Sequence, residues 1–571
     1  MASLFSSMES PSAPRSPLPD RWLAGAFLLA VLGLRILYAW HFRVDSDEPQ
    51  HLHVVWAWSR GLLPYRDVFD NHTPVFQALC APLFRALGVR ADILMPMRLA
   101  MLPIFAATIW CVWKIARTFF TPRIALWTAV LAALWPPFFF DSIEFRTDEL
   151  WALVWLLALT VLVTGRLGAA RLFGAGLLLG LAFSVSMKTS LFLAALAFAF
   201  LALLVFRRAA GERADWPRIG QGAAWVVAGI PVVPALTVLF FIMHGAGPQM
   251  YDCVIRHNIL PGSHGLGGVL KSILHWLLWL LPIAAGGALI ARLPHPPEVR
   301  GRIAFTFFAA AFYDSTLLSF WPILTAEDDL PFYPAMAITA APALLWLGSL
   351  AGRRLRLPAV AAPALFATAC IAWIVRAHSP FTDETVDRIG IIADTLKLTD
   401  ESDWVMDAKG ETIYRNRASR YVLEQLTKKR ITLGLLPDDI AARLIATRAP
   451  LVSTRRIPRT TLTFIKANYV PIAWRLFVLG QVLREDWTPA RQALHFEIAV
   501  PHRYTLVTRS GPAAGTLDGT AFTGPRELAA GPHEFQPAGG PGRLILVWAQ
   551  AIERGYSPFT EIKPDHTTEQ D

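Results

Sequence analysis

The sequence predicts a mainly α, polytopic membrane protein of about eleven spanning helices, followed by a C-terminal extracytoplasmic α/β region and a β-sandwich-like end. Three observations predict it. Of 571 residues, 54% are hydrophobic and only 17% charged, with a mean hydropathy of +0.42, whereas soluble domains carry about a quarter charged residues. Long apolar blocks recur up to about Arg376 and then stop. Basic clusters appear in alternate connections between those blocks.

The spans are expected at Trp22–Trp40, Met95–Trp113, Ile124–Phe140, Leu150–Thr164, Leu172–Met187, Ser190–Phe206, Gly220–Met243, Ser272–Ile290, Ile303–Phe320, Phe332–Leu350 and Pro358–Val375. Charge sets the count. Lys114, Arg117 and Arg123 fall in one connection, Arg207, Arg208, Arg213 and Arg218 in another, and Arg353, Arg354 and Arg356 in a third. The short connections between carry Asp141, Glu144, Asp148 and Glu149, or Glu327, Asp328 and Asp329. Eleven spans place every basic cluster in the cytoplasm, with the N-terminus inside and the tail outside, at the inner (plasma) membrane. Pro74–Leu87 breaks that pattern as a span and reads as interfacial or re-entrant.

Residues 1–20 are Ser/Pro-rich and read as a disordered cytoplasmic segment. The apolar run after Arg21 lacks a small-residue cleavage site, so it reads as an uncleaved span. Residues 21–377 form the membrane domain, with a first external loop at 41–94. In that loop Glu48–Arg60 is a helix: Asp47 can cap it, Pro49 suits its first turn, and Gly61 can end it. Leu52, Val55, Trp56 and Leu63 then share one face, as in a helix lying at the interface. Residues 378–492 mix helical and strand patterns, with Asp438–Thr447 as helix and Leu462–Tyr469 as strand. Residues 493–571 alternate as short strands with turn signals at Asp518-Gly519, Gly531-Pro532 and Gly539-Gly540. No internal repeat is evident.

The net charge of +10 excludes little until it is located. Up to Arg376 there are 29 basic and 20 acidic residues; beyond it, 24 and 23. So balanced a tail offers no nucleic-acid surface. The four cysteines (Cys80, Cys111, Cys253, Cys370) make no framework and no metal pair. A bridge between Cys80 and Cys253 has nothing further to support it.

Ionisable groups are costly inside a membrane, and here the carboxylates gather at the outer ends of spans. Asp45, Asp47 and Glu48 open the first loop; Asp148 and Glu149 open the fourth span. Asp47 and Glu48 read either as a base with its orienting group or as helix caps. Asp148 has the same two readings, with Thr147 as a rival cap. His72, in Asn71-His72-Thr73-Pro74, is suited to a phosphate or a metal, and it follows an aromatic and polar stretch containing Tyr65. His51 and His53 with Glu48 make a poor metal set, since residues two apart on a helix point to different faces. Lys188, between two apolar helices, reads as a snorkelling residue or as a fixed cation for a phosphate leaving group. Arg256, His257 and His264 lie in a second long loop. Asp314 falls inside a span and reads as a packed polar residue.

The runs Asp45-Ser46-Asp47-Glu48, Gly61-Leu62-Leu63-Pro64-Tyr65-Arg66-Asp67 and Asn71-His72-Thr73-Pro74 together resemble the first extracytoplasmic loop of GT-C-type glycosyltransferases. The nearest group there contains protein O-mannosyltransferases and bacterial lipid A aminoarabinose transferases. Arg146-Thr147-Asp148-Glu149, Gly180 to Phe183 with Met187-Lys188, and Phe332-Tyr333-Pro334 add further echoes, so the likeness covers most of the membrane half. The resemblance implies an inverting transfer of a sugar from a polyprenyl-phosphate carrier to a glycan, lipid or protein acceptor outside the membrane. Asp47 would then be the base, Glu48 its support and Asp45 the completion of a DxD-like element. Asp148 would be the second acidic position. Lys188 and His72 would face the donor phosphate, and Tyr65, Arg256 and Tyr333 would contact substrate. Where aminoarabinose transferases carry a lysine before the proline, this chain has His72, only partly charged near neutral pH. No cofactor is implied with certainty, and a divalent metal is left open.

A membrane transporter or lipid flippase is the alternative, centred on Asp314, and a non-catalytic scaffold is a third. Paired broken helices in two related halves would favour the transporter.

Overall fold

The computed structural model describes residues 18–213, 215–259, 274, 277, 295–320, 326–355, 360–486, 492–539 and 542–562. It divides into two compact units. One comprises Met1–Arg43, Asn71–Cys80 and Leu94–Asp383; the other comprises Val44–Asp70, Ala81–Ile93 and Glu384–Asp571.

The first unit is helical. Ten of the eleven expected spans contain helix, and the eleventh, Ser272–Ile290, lies outside the described residues apart from 274 and 277. Leu18–His41, Leu94–Phe119, Thr189–Ala209 and Trp216–Met243 are long and apolar enough to cross a membrane. Others are broken where prolines fall. Pro122–Leu134 stops at Trp135 and resumes as Pro136–Asp141, because a proline within a helix removes a backbone donor and clashes with the preceding turn. At the far end of that short helix Arg35 of the first helix donates to Phe139 O at 3.3 Å, Ser142 O at 2.5 Å and Ser142 Oγ at 2.8 Å, and it stands 3.8 Å from the buried Glu149 carboxylate. An arginine inside an apolar helix is thus spent on backbone that the hydrocarbon could not solvate.

Helix pairs approach closely where side chains are smallest. A Cβ on Gly176 would stand 2.2 Å from Val226 O, and one on Gly180 would stand 2.2 Å from Ile230 O. This GxxxG spacing lets Ala169–Val185 lie directly on Trp216–Gly229.

The second unit joins segments of the connection that follows the first helix to the C-terminal chain. Glu48–Ser59 is helical as expected, with Asp47 at its N-cap position and Arg60 at its C-cap. It is buried nearly all round, from Glu48 through Ala57, so it is embedded in protein and does not present one apolar face to an interface. Val75–Leu87 is a helix of 13 residues containing Pro82.

The C-terminal chain builds two sheets. Its strands are β1 (Trp404–Met406), β2 (Asn416–Arg417), β3 (Leu451–Ser453), β4 (Tyr469–Ala473), β5 (Leu476–Arg484), β6 (Leu494–Ile498), β7 (His502–Thr508), β8 (Gly511–Pro512), β9 (Gly515–Leu517), β10 (Thr520–Ala521), β11 (Arg526–Leu528), β12 (Gly531–Pro537) and β13 (Leu544–Trp548). The larger sheet runs β11-β7-β13-β5-β3-β1-β2, with β4 on β5 and β8 on β7; the smaller runs β10-β9-β12-β6. β1 is parallel to its neighbours and the other pairs are antiparallel. Because β13 lies between β5 and β7, one sheet carries strands from before and after residue 492. Leu451, Val478, Leu506, Leu546 and Trp548 share its core. Asp518 and Gly519 both take positive φ, at 51° and 74°, which makes the expected two-residue hairpin between β9 and β10. The strand expected at Leu462–Tyr469 is a helix, Arg459–Asn468. Pro458 sets its start, and Thr461 and Ile465 are buried four residues apart, the spacing of one helical face; strand begins only at Tyr469.

Gly176→Leu is expected to force the two backbones apart, costing about 1–3 kcal/mol as overpacking does. Thermal unfolding of the detergent-solubilised protein measures it; Gly174→Leu, where a Cβ meets nothing, should leave the midpoint almost unchanged.

Candidate active site

Two clusters of charge hold the residues singled out above, one in each unit. In the helical unit the centre is Asp148. It stands in the first turn of Thr147–Val163, whose N-cap position is taken by extended Arg146 without a side-chain cap. Asp148 is therefore not the N-cap residue. Its Oδ2 accepts from Arg146 Nε at 3.2 Å, and its Oδ1 from Lys188 Nζ at 3.2 Å. Lys188 also pairs with Asp328, which is 1% exposed. Arg146 reaches Glu327 at 3.0 Å and Glu144 at 3.6 Å, and Glu144 accepts from Arg43 at 3.1 Å. Four carboxylates from two connections thus fix two cations, Arg146 buried and Lys188 half-buried.

Burial alone would pull the Lys188 ammonium toward neutrality, but Asp148 and Asp328 outweigh it and hold its pKa above the ordinary lysine value. The ring of Trp151 lies 5.5 Å from that ammonium and contributes a cation–π contact. Trp151 is itself fixed by donating to Thr189 Oγ1 at 2.9 Å.

The segment bearing His72 comes to the same corner. Asn258 Nδ2 donates to Asn71 O at 2.8 Å and approaches Met187 Sδ at 3.5 Å. One amide thus touches the residue before His72 and the residue before Lys188. Phe76 packs on Phe145 at 5.0 Å, next to Arg146. His72 is half-buried. Tyr333 is buried at the start of Tyr333–Leu355 and has Asp141, Asp329 and Glu327 as charged neighbours. Arg256 is exposed at the end of a π-helical turn, Asp252–Arg256, whose Cys253 and Val254 are buried, and it pairs with Asp252 at 3.1 Å.

The second cluster surrounds Asp47. Asp45 Oδ1 accepts from Asp47 N at 2.8 Å, and Glu48 Oε2 accepts from Asp45 N at 2.9 Å. These two bonds fold the acidic run on itself. Asp47 makes no side-chain cap; its Oδ1 instead pairs with Lys409 Nζ, from the C-terminal chain. Lys409 sits on a turn stapled by buried Asp407. Asp407 Oδ1 accepts from Gly410 N at 2.7 Å and Arg417 Nε at 2.8 Å, and its Oδ2 accepts from Thr412 N at 3.0 Å and Thr412 Oγ1 at 2.7 Å. Gly410, at φ +83°, brings this turn against the helix: a Cβ there would stand 2.8 Å from His53 Cβ. Tyr65, at φ +72°, is fully buried, and its carbonyl accepts from Arg420 at 2.7 Å. It shapes the loop and offers no exposed ring.

His53 is placed by a 2.7 Å contact between Nδ1 and Ile413 O and by stacking on Trp56. Burial, reinforced by Arg417, lowers its pKa to about 4, so the ring is neutral at physiological pH. The cysteines are all free.

Lys409, Asp328 and Arg35 are functional-site or scaffold residues that pattern reading did not single out. Arg35 had a legible signal, an arginine within an apolar run. Asp328 was visible only as loop charge. For Lys409 no local signal exists, since it lies 362 residues from its partner.

A helical, multi-pass membrane scaffold carrying fixed charge at the ends of its helices, with an α/β and β tail, is the class these features define. Residues 71–236 match the family model described as Dolichyl-phosphate-mannose-protein mannosyltransferase. Among solved structures, ArnT from Cupriavidus metallidurans in the apo state aligns with a TM-score of 0.58 at 15% identity, covering 81% of this chain and 98% of that one. The same protein bound to undecaprenyl phosphate aligns with a TM-score of 0.57 at 17% identity, covering 80% and 97%. No curated protein matches by sequence. The chain has the GT-C fold.

Lys188→Met should leave Asp148 and Asp328 facing each other without their cation and destabilise the helical unit by about 3–5 kcal/mol. Adding Asp328→Asn should recover part of that loss in a thermal double-mutant cycle; zero coupling would show the pair to be incidental. For His53 the unfolded chain takes up a proton before the folded one does. Stability should therefore fall as pH drops from 6.5 toward about 4, by about 3 kcal/mol. Wild type minus His53→Gln unfolding at pH 5 and pH 7 reads that slope.

Proposed function

We propose that the chain is a membrane glycosyltransferase that moves a sugar from a polyprenyl-phosphate carrier to an extracytoplasmic acceptor, with inversion at the anomeric carbon. One observation carries the reading: in a GT-C fold, Lys188 and Arg146 are held charged at the ends of spans by Asp148, Asp328 and Glu327. ArnT, which shares the fold, has been crystallised with undecaprenyl phosphate, and the family model over 71–236 names a dolichyl-phosphate-linked donor.

The chemistry suits a membrane surface. The carrier keeps its prenyl chain in the bilayer and its phosphate at the edge. As the bond between the anomeric carbon and the phosphate oxygen breaks, the phosphate gains charge, and a pre-positioned ammonium lowers that barrier more than a mobile one would. We assign that contact to Lys188, with His72 beside it. Asp47 takes the proton of the acceptor hydroxyl as its oxygen attacks. Glu48 and Asp45 hold the acidic run in shape, and Asp148 fixes Lys188. Tyr333 and Arg256 are assigned to substrate contact, and Tyr65 to the form of the loop.

By the alternation of basic clusters, the chain sits in the inner (plasma) membrane with its N-terminus cytoplasmic and its tail periplasmic. Residues 21–377 are assigned as the catalytic membrane domain, with 378–492 and 493–571 as extracytoplasmic regions. The acceptor is left among glycan, lipid and protein.

In membranes supplied with polyprenyl-phosphate-linked sugars, Asp47→Asn should slow transfer by roughly 10²–10⁴-fold, the range for loss of a general base. Mass spectrometry of the lipid-linked pool follows the reaction. Full turnover by Asp47→Asn at normal protein levels removes Asp47 as base.

A further inference from the structure

We infer that Lys409, from the C-terminal chain, is a positioning residue for the reaction: it fixes the Asp47 carboxylate and sets the pH at which that carboxylate can accept a proton. The inference rests on the glycosyltransferase reading for its chemistry, but the contact stands by itself in the structure.

Lys409 is 5% exposed. A lysine is rarely buried unless its charge is met, because removing an ammonium from water costs several kcal/mol, on the order of the loss of a buried pair. Its partner is Asp47, whose side chain is 22% exposed and so still open to solvent. The asymmetry matters: the cation is enclosed and immobile, and the carboxylate at its tip is reachable.

The Lys409 backbone is as constrained as its ammonium. Its N–H donates to Glu411 Oε2 at 2.8 Å, and the four bonds to Asp407 close the turn on both sides of it. A structural ion pair between surface elements needs none of this, since exposed pairs contribute little and hold loosely. The helix N-cap would also be a cheaper use for Asp47, yet no side-chain cap is made there. Ser46 Oγ lies 3.4 Å from Asp47 Oδ1 and 3.5 Å from Lys409 Nζ, steadying the same oxygen.

Lys409 thus engages a carboxylate that stays open to solvent. In the step, the acceptor O–H bond breaks and its proton passes to the Asp47 carboxylate. The acceptor oxygen bonds the anomeric carbon, and the electron pair of the breaking bond leaves on the carrier phosphate. An adjacent ammonium stabilises the ionised carboxylate, keeping Asp47 deprotonated and competent at lower pH. The other charges around it in this unit oppose that effect: Asp45 and Glu48 on its own loop, and Glu411 on the turn that carries Lys409. Without Lys409 the Asp47 carboxylate would hold its proton to higher pH.

The test is the pH dependence of transfer by the full-length protein in native membranes, using the polyprenyl-phosphate-linked sugars of those membranes as donor. Lys409→Met and Lys409→Gln should move the acid limb of the rate profile upward by about 1–3 pH units, the effect of one adjacent opposite charge. Lys409→Arg, which keeps the charge on a different geometry, should retain the wild-type acid limb while lowering the plateau rate. Infrared titration of the Asp47 carboxyl, taken as wild type minus Asp47→Asn in nanodiscs, provides a readout independent of turnover. There too Lys409→Met should raise the midpoint and Lys409→Arg should not. An acid limb unmoved in both neutral variants, with the wild type active, overturns this inference alone. A wild type that transfers no sugar overturns the glycosyltransferase reading, while the infrared midpoint still decides whether Lys409 governs Asp47.

Discussion

Desolvated charge is the constraint on which this molecule turns. An ammonium or guanidinium taken from water must find carboxylates or carbonyls at short range, and must find them in the folded chain. Each buried cation described here meets that demand differently. Arg35 meets the carbonyls of Phe139 and Ser142 and the carboxylate of Glu149. Lys188 is held between Asp148 and Asp328. Arg146 draws on Glu144, Asp148 and Glu327. Because the partners come from separate connections, satisfying the charges also fixes how those connections end. The electrostatic arrangement and the packing of the helix ends are one problem with one solution.

The same logic explains why the acidic residues at helix starts are not caps. Asp47 and Asp148 occupy positions where a carboxylate ordinarily accepts from backbone N–H groups. In both places a buried cation competes for the side chain, and a charge-assisted bond to an ammonium or guanidinium is stronger than one to a neutral amide. The helix end makes do with water or a neighbouring group, which it can, whereas an enclosed lysine cannot.

How much of this was legible in the sequence depended on distance along the chain. The spans were readable from apolar block length, whereas the crossing at Gly176 and Gly180 emerged only with the helices in place. The hairpin at Asp518-Gly519 followed from two residues. Asp148 and Lys188 could be named because each stands at the mouth of a span, where a charge is conspicuous. Lys409 lies in a polar tail among many charged residues, and nothing near it in sequence distinguishes it. Helix Arg459–Asn468 was misread because Thr460 to Phe464 is rich in residues that favour strands, while its burial follows a helical period. Local propensity yielded there to packing against the sheet.

The second unit is assembled from pieces made at very different times. Val44–Asp70 is synthesised early, whereas Lys409 follows more than three hundred residues later, and β13, flanked by β5 and β7 in the sheet, comes after every other strand. At ribosomal speeds of about 5–20 residues per second, the early loop waits tens of seconds for its partners. During that interval the helix Glu48–Ser59 has its apolar side chains uncovered and its first acidic residues unmatched. The protein therefore cannot mature segment by segment as it leaves the ribosome. Until the tail docks, the nascent chain is a client for whatever shields it.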